Sequence, residues 1–170
     1  MEILILVVFL LLFLLLISSI GVIIYFIDFK DSKSNKDHIS FKESLDLTDL
    51  PIITFYQGSK KFNFLLDTGA TSSVINRECL ESLASYKELN GTSWIMGFDG
   101  NRHKTLIVEV PLYYKNSKFT SNCQVFDLTN AFKTIKEESG VNLHGILGND
   151  FFIKYKYIID FKDFVAYIKS

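Results

Sequence analysis

The sequence contains, from Phe64 to Ile75, the stretch FLLDTGATSSVI. Its first residues continue an alternation that begins at Phe62 and is typical of a half-buried strand, and Asp67 stands where that strand ends. An ionised carboxylate that enters an apolar environment costs several kcal/mol unless it is paired or protonated. Gly69, two residues later, has no side chain and lets another backbone segment come close. The stretch therefore predicts that Asp67 serves chemistry.

Short segments rich in β-forming residues surround this stretch, and turn residues separate them. Several pairs of them predict hairpins, because only a few turn residues stand between two apolar segments. The predicted strands are 52–56, 62–66, 92–96, 105–110, 119–126, 157–161 and 164–168, and the predicted helices are 77–89 and 129–138. This order predicts a mostly-β barrel or sandwich with one or two short helices.

A second apolar segment with glycines lies about 80 residues after Asp67. Residues 144–152 read HGILGNDFF. Together, the two segments resemble the active-site loop and the second signature of the retropepsin-like aspartic proteases, and the resemblance covers roughly residues 50–168. It implies a closed β-barrel of the acid-protease fold, in which the second segment passes the catalytic loop and enters a short helix.

The resemblance also implies the roles of the loop residues. Asp67 would be the catalytic aspartate, Thr68 would cross-link two active-site loops through its hydroxyl, and Gly69 would let the loops approach each other. Aspartic proteases need two carboxylates that share one proton, because two like charges so close cannot both be ionised. One carboxylate acts as the base on a water molecule while the protonated one polarises the scissile carbonyl.

The chain contains one Asp-Thr-Gly triplet. The aspartates at 127, 150, 160 and 163 lack its context of an apolar strand before and Thr-Gly after. The second carboxylate is therefore expected from another copy of the chain, in a two-fold homodimer with one Asp67 per protomer.

The hairpin from Trp94 to Thr105 takes the place of the flap that closes over substrate in this family. Glycines near its tip would give the flap its flexibility. We expect a polypeptide substrate to contact both the loops and the flap, through Ala70, Thr71, Trp94, Ile95, Met96, Gly97, Gly100, Ile146, Leu147 and Gly148. For Trp94, Ile95 and Met96, a place in the hydrophobic core is the alternative.

The first 29 residues differ from the rest, since no charged residue occurs between Ile3 and Ile27. A helix of that length covers about 37 Å, enough to span a bilayer. A cleaved signal peptide is the alternative, but it would have a basic start and a shorter apolar segment. We therefore predict a single-pass membrane anchor over 1–29, a polar tether over 30–47 and a protease domain over 48–170. Lysines follow the span and none precedes it, which favours a cytoplasmic domain, with the exported side as the alternative.

Other classes of function find little support. The chain has 18 basic and 19 acidic residues without a basic block, so nucleic acid is not an expected partner. Three scattered histidines and two cysteines form no pattern of metal ligands, and no cofactor or metal is expected.

Two hypotheses follow from the sequence. The first is a membrane-anchored, homodimeric aspartic endopeptidase. The second is a membrane-tethered dimerisation or peptide-binding module that keeps the fold without turnover. The intact Asp67-Thr68-Gly69 favours the enzyme, because a binding module has no use for a paired carboxylate.

Overall fold

The predicted hairpin before Asp67 is present in the structure, a computed structural model that describes residues 17, 19, 38–97 and 100–168. Strand β2 (Ile52–Gln57) pairs antiparallel with strand β3 (Lys60–Leu66), with Phe55 opposite Phe62. Alternate side chains of β3 are buried, which is the pattern that the sequence predicts. This hairpin delivers Asp67 to the end of β3.

The other described elements follow in chain order. Strand β1 and helix α1 precede the hairpin, and a 3-10 helix follows strand β4. Helix α2 separates β7 from β8, and helix α3 separates β8 from β9. Their bounds are β1 Ile39–Ser40, α1 Lys42–Thr48, β4 Val74–Asn76, the 3-10 helix Arg77–Ser82, β5 Lys87–Met96, β6 Arg102–Tyr114, β7 Ser117–Phe126, α2 Thr129–Ser139, β8 Gly145–Leu147, α3 Asn149–Tyr155, β9 Tyr157–Asp160 and β10 Val165–Ile168.

Six strands close into a barrel in the order β2-β3-β8-β4-β7-β6. Closure comes from a bridge between β2 and β6, where Tyr56 is opposite Tyr113. Strand β8 is parallel to β3 and antiparallel to β4, so the second glycine-containing segment lies between the two strands that flank the Asp67 loop. The predicted mostly-β closed barrel is confirmed. It carries three α-helices in its described part, one more than expected.

Aromatic side chains fill the main core. Phe55 and Phe64 are fully buried, and the Phe55 ring contacts those of Phe64, Phe119 and Phe151 edge-on at 5.4–6.3 Å. Edge-to-face pairs of this kind add to the stabilisation from burial. A second cluster, around Val74 and Ile146, lies on the side of the sheet that borders the Asp67 loop.

The polar tether predicted over 30–47 is wrong for its described part, which begins at residue 38. Strand β1 pairs with β10, extending the terminal β9–β10 hairpin to three strands, and helix α1 follows it. Ile39 and Phe41 are 3% and 1% exposed. Ile39 and Phe41 stand among polar residues and give only a weak signal in the sequence. Their burial nevertheless fixes this segment to the domain.

The helix predicted over 77–89 is also wrong in its second half. A 3-10 helix ends at Ser82, and β5 begins at Lys87 and pairs with β6. Lys87 belongs to the segment whose local sequence favours a helix, but in the structure it lies opposite Glu109 of β6. Pairing with the long β6 strand therefore overrides local propensity.

The predicted membrane span, residues 1–29, lies outside the described residues except for Ile17 and Ser19. Within the described part of the chain, no helix is long and apolar enough to cross a bilayer.

Candidate active site

Hydrogen bonds made by its backbone hold the loop after β3 in place. Asp67 donates its N–H to the carbonyl of Leu147 at 3.0 Å, and the N–H of Ala70 donates to the Asp67 carbonyl at 3.2 Å. The N–H of Gly69 donates to Asp67 Oδ1 at 2.8 Å. The carboxylate is half-buried, while Thr68 and Gly69 are exposed. The loop thus orients one carboxylate at the protein surface.

The second signature supports this loop through Asn149, the first residue of α3. Its backbone N–H donates to the carbonyl of Ala70 at 2.9 Å, and its side-chain amide donates to the carbonyl of Thr68 at 3.0 Å. Two carbonyls of the Asp67 loop are thereby bound to the start of one helix. This is the contact between the two segments that the resemblance implies.

At Gly148 the same two segments come so close together that there is no room for a side chain. A Cβ atom at this position would lie 2.8 Å from the backbone carbonyl of Ser72 and 2.9 Å from that of Ala70. Such contacts are shorter than packed atoms allow, and both partners are backbone. Gly148 therefore lets α3 begin directly against the loop.

Asp150 completes the support with a carboxylate that points back into the loop. Its Oδ1 accepts hydrogen bonds from the Ser73 N–H at 2.9 Å and from the Ser73 hydroxyl at 2.7 Å. The Ser73 oxygen in turn accepts the N–H of Gly148 at 3.1 Å. Sequence reasoning set Asp150 aside as a catalytic partner, and in the structure it holds the loop.

A cavity of about 360 Å³ opens beside Asp67. Eight of the predicted site residues line it, and five do not. The eight are Asp67, Gly69, Ala70, Thr71, Trp94, Ile95, Met96 and Ile146, and the five are Thr68, Gly97, Gly100, Leu147 and Gly148. Thr68 is exposed beside the cavity, whereas Leu147 is fully buried.

The predicted flap is the end of the β5–β6 hairpin. Its turn is closed by the Gly97 N–H, which donates to the carbonyl of Asn101 at 2.8 Å, and Gly100 takes a φ of +76° that favours glycine. Trp94 and Met96 are each 62% exposed although both border the cavity. Large apolar side chains left this exposed beside a cleft indicate a surface that contacts a ligand or partner.

Sequence reasoning missed five residues of the cavity wall. They are Ser72, Val74, Gln124, Phe126 and Leu128. Ser72 and Val74 belong to the quoted loop and strand, and could have been found from their place beside Asp67. The other three come from β7 and the start of α2, which only the barrel brings to the loop.

Neither cysteine is suited to act as a nucleophile. Burial raises the pKa of Cys79 to about 11 and that of Cys123 to about 12. Both thiols are free and remain protonated at neutral pH, and neither lines the cavity. Among the described residues that line this cavity, Asp67 is the one with a carboxylate.

Comparison with known proteins agrees with the loop geometry. The family model described as aspartyl protease matches residues 53–151, which is more than half of the chain and includes the first signature and all but the last residue of the second. The chain belongs to the aspartyl protease family. None of the curated proteins matches it.

Among solved structures, this aspartyl protease family member is similar to the EIAV protease complexed with the inhibitor HBY-793. The two share 23% sequence identity with a TM-score of 0.45, over 62% of this chain and 86% of the other.

Proposed function

We propose that this chain is an aspartic endopeptidase that is active as a homodimer, with one Asp67 from each protomer. The observation that carries the proposal is the half-buried Asp67 in a braced loop whose next residues, Thr68 and Gly69, are exposed. A second copy can therefore approach the carboxylate without unfolding either protomer.

The need for a second copy follows from the acidic residues of the cleft. Among the described residues that line the cavity, Asp67 is the one with a carboxylate. Asp150 is bound to Ser73, and Asp160 caps a turn by accepting the N–H of Lys162 at 2.9 Å. A shared proton requires two carboxylates a few ångströms apart, so the partner's loop must supply the second.

The chemistry assigns opposite protonation states to the two Asp67 carboxylates. The ionised one takes a proton from a bound water, whose oxygen forms a bond to the carbonyl carbon of the scissile peptide. The protonated one gives its proton to the carbonyl oxygen. When the resulting diol collapses, the carboxyl group that took the water proton gives it to the amide nitrogen, the other carboxylate takes a proton from a diol hydroxyl, and the C–N bond breaks.

The substrate we propose is an extended polypeptide segment. Strand β5 and the Asp67 loop border the cavity from two sides, and Trp94 and Met96 extend from β5 beside it. An extended segment between them would make main-chain hydrogen bonds, as peptides do when they lie along strands.

We further propose that residues 1–29 anchor the protease in a membrane, with the domain in the cytoplasm. The uncharged segment from Ile3 to Ile27 and the lysines after it support this placement. Two protomers tethered in one membrane meet at a higher effective concentration, which favours a weak dimer.

The test compares the full chain with Asp67→Asn and with the matched control Asp163→Asn. Asp163 is exposed and lies in the turn before β10, away from the cavity. We expect a dimer that cleaves unfolded protein substrates, loss of cleavage by at least a hundredfold in Asp67→Asn, and unchanged cleavage in Asp163→Asn.

Three results would overturn the proposal. Cleavage that persists in Asp67→Asn would remove the catalytic role, and cleavage by a protomer that stays monomeric would remove the dimer. A dimer that binds peptides without cutting them would establish the alternative peptide-binding module.

A further inference from the structure

Gln124 is a buried polar side chain in the wall of the cleft. It is 8% exposed and lines the cavity beside Val74, Ile95 and Phe126. The buried polar side chains of the described residues are Gln57, Ser73, Asn76, Thr105, Ser121 and Gln124, and of these Gln124 alone borders the cavity.

The sheet register places Gln124 on the same face as the apolar floor of the cleft. Val74 is paired with Gln124 on one side and with Ile146 on the other. Residues paired across neighbouring strands project from the same face of the sheet. Gln124 therefore stands in a lateral row in which the other positions are apolar.

A comparison with Gln57 shows what a structural buried glutamine looks like in this protein. Gln57 uses both ends of its amide, donating to the carbonyls of Ser85 and Pro111 and accepting from the N–H groups of Ala84 and Ser85. Four hydrogen bonds satisfy this group completely.

Gln124, in contrast, uses one end of its amide. Its side-chain NH₂ donates to the Ser93 hydroxyl at 2.7 Å, and the described residues offer the Oε1 end no hydrogen bond. Either orientation of the amide leaves one hydrogen-bonding atom towards the cavity. Gln124 lines the open cavity, where water can reach this atom. An occupant that displaces the water must replace its hydrogen bond, because a buried polar group is costly when unpaired.

We propose that Gln124 is a specificity-determining residue, and that its subsite takes a neutral hydrogen-bonding side chain of the substrate, namely a hydroxyl or a carboxamide. The inference rests on the proposed function in that the cleft holds a polypeptide. Strand β7 is separated from β3 by β8 and β4, about 14 Å at the usual strand spacing. The subsite therefore holds a residue that flanks the scissile bond.

The surroundings of Gln124 exclude a charged substrate side chain at this position. Val74, Ile95, Phe126 and Leu128 are apolar, and the carboxylate in the wall belongs to the catalytic Asp67. An ion buried among these residues would lose its hydration without gaining a partner of opposite charge. An aliphatic side chain would fit but leave the amide unpaired, and sites built to hydrogen-bond a substrate group discriminate strongly against analogues that lack it.

The test uses a random peptide library with the full chain, as wild type and as Gln124→Leu. Cleavage products give the preference at each position. The same library is also selected by binding to Asp67→Asn and to Asp67→Asn/Gln124→Leu, so that preference is measured without turnover. We expect Ser, Thr, Asn or Gln to be enriched at one flanking position, and Gln124→Leu to shift that position towards Leu, Ile or Val by roughly tenfold in relative kcat/KM.

Two further variants separate specificity from support of the fold. Ser93→Ala removes the hydrogen bond to the amide but leaves Gln124 in the wall, and we expect it to keep the polar preference. Gln124→Met replaces the Leu variant if circular dichroism shows that Gln124→Leu does not fold.

Each outcome decides the inference. Cleavage with an identical preference in wild type and Gln124→Leu overturns it and leaves the proposed function standing. A polar preference in binding that Gln124→Leu abolishes, without any cleavage, supports the inference and overturns the proposed function. Absence of both cleavage and peptide binding overturns both.

Discussion

Asp150 accepts two hydrogen bonds from Ser73, one from its N–H at 2.9 Å and one from its hydroxyl at 2.7 Å. The same carboxylate oxygen accepts the N–H of Phe151 at 2.8 Å. The start of α3 is thus joined to the far end of the catalytic loop through one atom. The position of Asp67 consequently depends on a residue 83 places later in the chain.

Replacing Asp150 tests the hydrogen bonds that join the start of α3 to the Asp67 loop. Asp150→Ala leaves the N–H and hydroxyl of Ser73 without their acceptor, and we expect the free energy of unfolding to fall by about 2 kcal/mol. Asp150→Asn keeps an acceptor oxygen and should cost less. Urea denaturation measures both, with Asp163→Ala as the control in an exposed turn. Equal free energies of unfolding for Asp150→Ala and the control would show that the hydrogen bonds of Asp150 to Ser73 do not stabilise the fold.

Gly148 offers a test of backbone approach. In Gly148→Ala the new methyl group meets the carbonyls of Ser72 and Ala70, which cannot rotate away. We expect a cost of about 2 kcal/mol from overpacking and a larger loss of cleavage, because the shift falls on the Asp67 loop.

Gly58→Ala is the matched control for Gly148→Ala. Gly58 has a φ of +61° and open space around it, so alanine there meets backbone strain of about 1 kcal/mol and no clash. Thermal unfolding and cleavage rates of both variants check the prediction. If Gly148→Ala loses no more cleavage than Gly58→Ala, the loop does not depend on this approach.

His144 makes the stability of the domain depend on pH. Its Nδ1 accepts the N–H of Asn63 at 3.0 Å, and burial lowers the pKa of the imidazole below its usual value of 6.5. Between the two pKa values the unfolded chain binds a proton that the folded chain does not. This contribution to stability is therefore complete above pH 6.5 and is lost as the pH falls from 6.5 towards the folded-state pKa.

Urea denaturation above and below pH 6.5 tests this dependence in wild type and His144→Gln. One histidine changes the free energy of unfolding by at most about 1.4 kcal/mol per pH unit. As the pH falls, we therefore expect the free energy of unfolding to decrease more steeply in the wild type than in His144→Gln, by no more than this amount. Glutamine can accept the Asn63 N–H but does not titrate. Parallel pH profiles for the two proteins would contradict the assignment.

Local sequence predicted the elements whose signal is local. The β2–β3 hairpin alternates up to Asp67, and helix α2 ends at Ser139. The next residue, Gly140, has a φ of +75° and is the usual residue after a helix C-terminus. The Asp67 loop was found from a carboxylate and a glycine at the end of an apolar strand, and the second signature was found through its resemblance to the protease family. These features need no knowledge of the rest of the fold.

The errors arose where a distant partner decides the structure. Residues 87–89 were predicted as the end of a helix, but Lys87 and Glu88 pair with β6. Phe41 was predicted as part of a tether, but β10 and the terminal hairpin cover it. Gln124 was missed for the same reason, since its side chain enters the cleft only when β7 lies beside β4. Periodicity along one strand cannot show which neighbour it will have.

Mixed dimers give the sharpest test of a shared site. If each active site needs Asp67 from both protomers, a dimer of one wild-type and one Asp67→Asn chain contains a single catalytic carboxylate and is inactive. Random pairing of equal amounts then leaves about a quarter of the dimers fully active, whereas independent sites would leave about half. Co-expressing the two chains with different tags and measuring cleavage per protomer distinguishes the two values.

Asp163→Asn mixed with wild type should keep full activity, since Asp163 lies outside the cleft. Activity that falls in simple proportion to the Asp67→Asn fraction would mean that one protomer suffices.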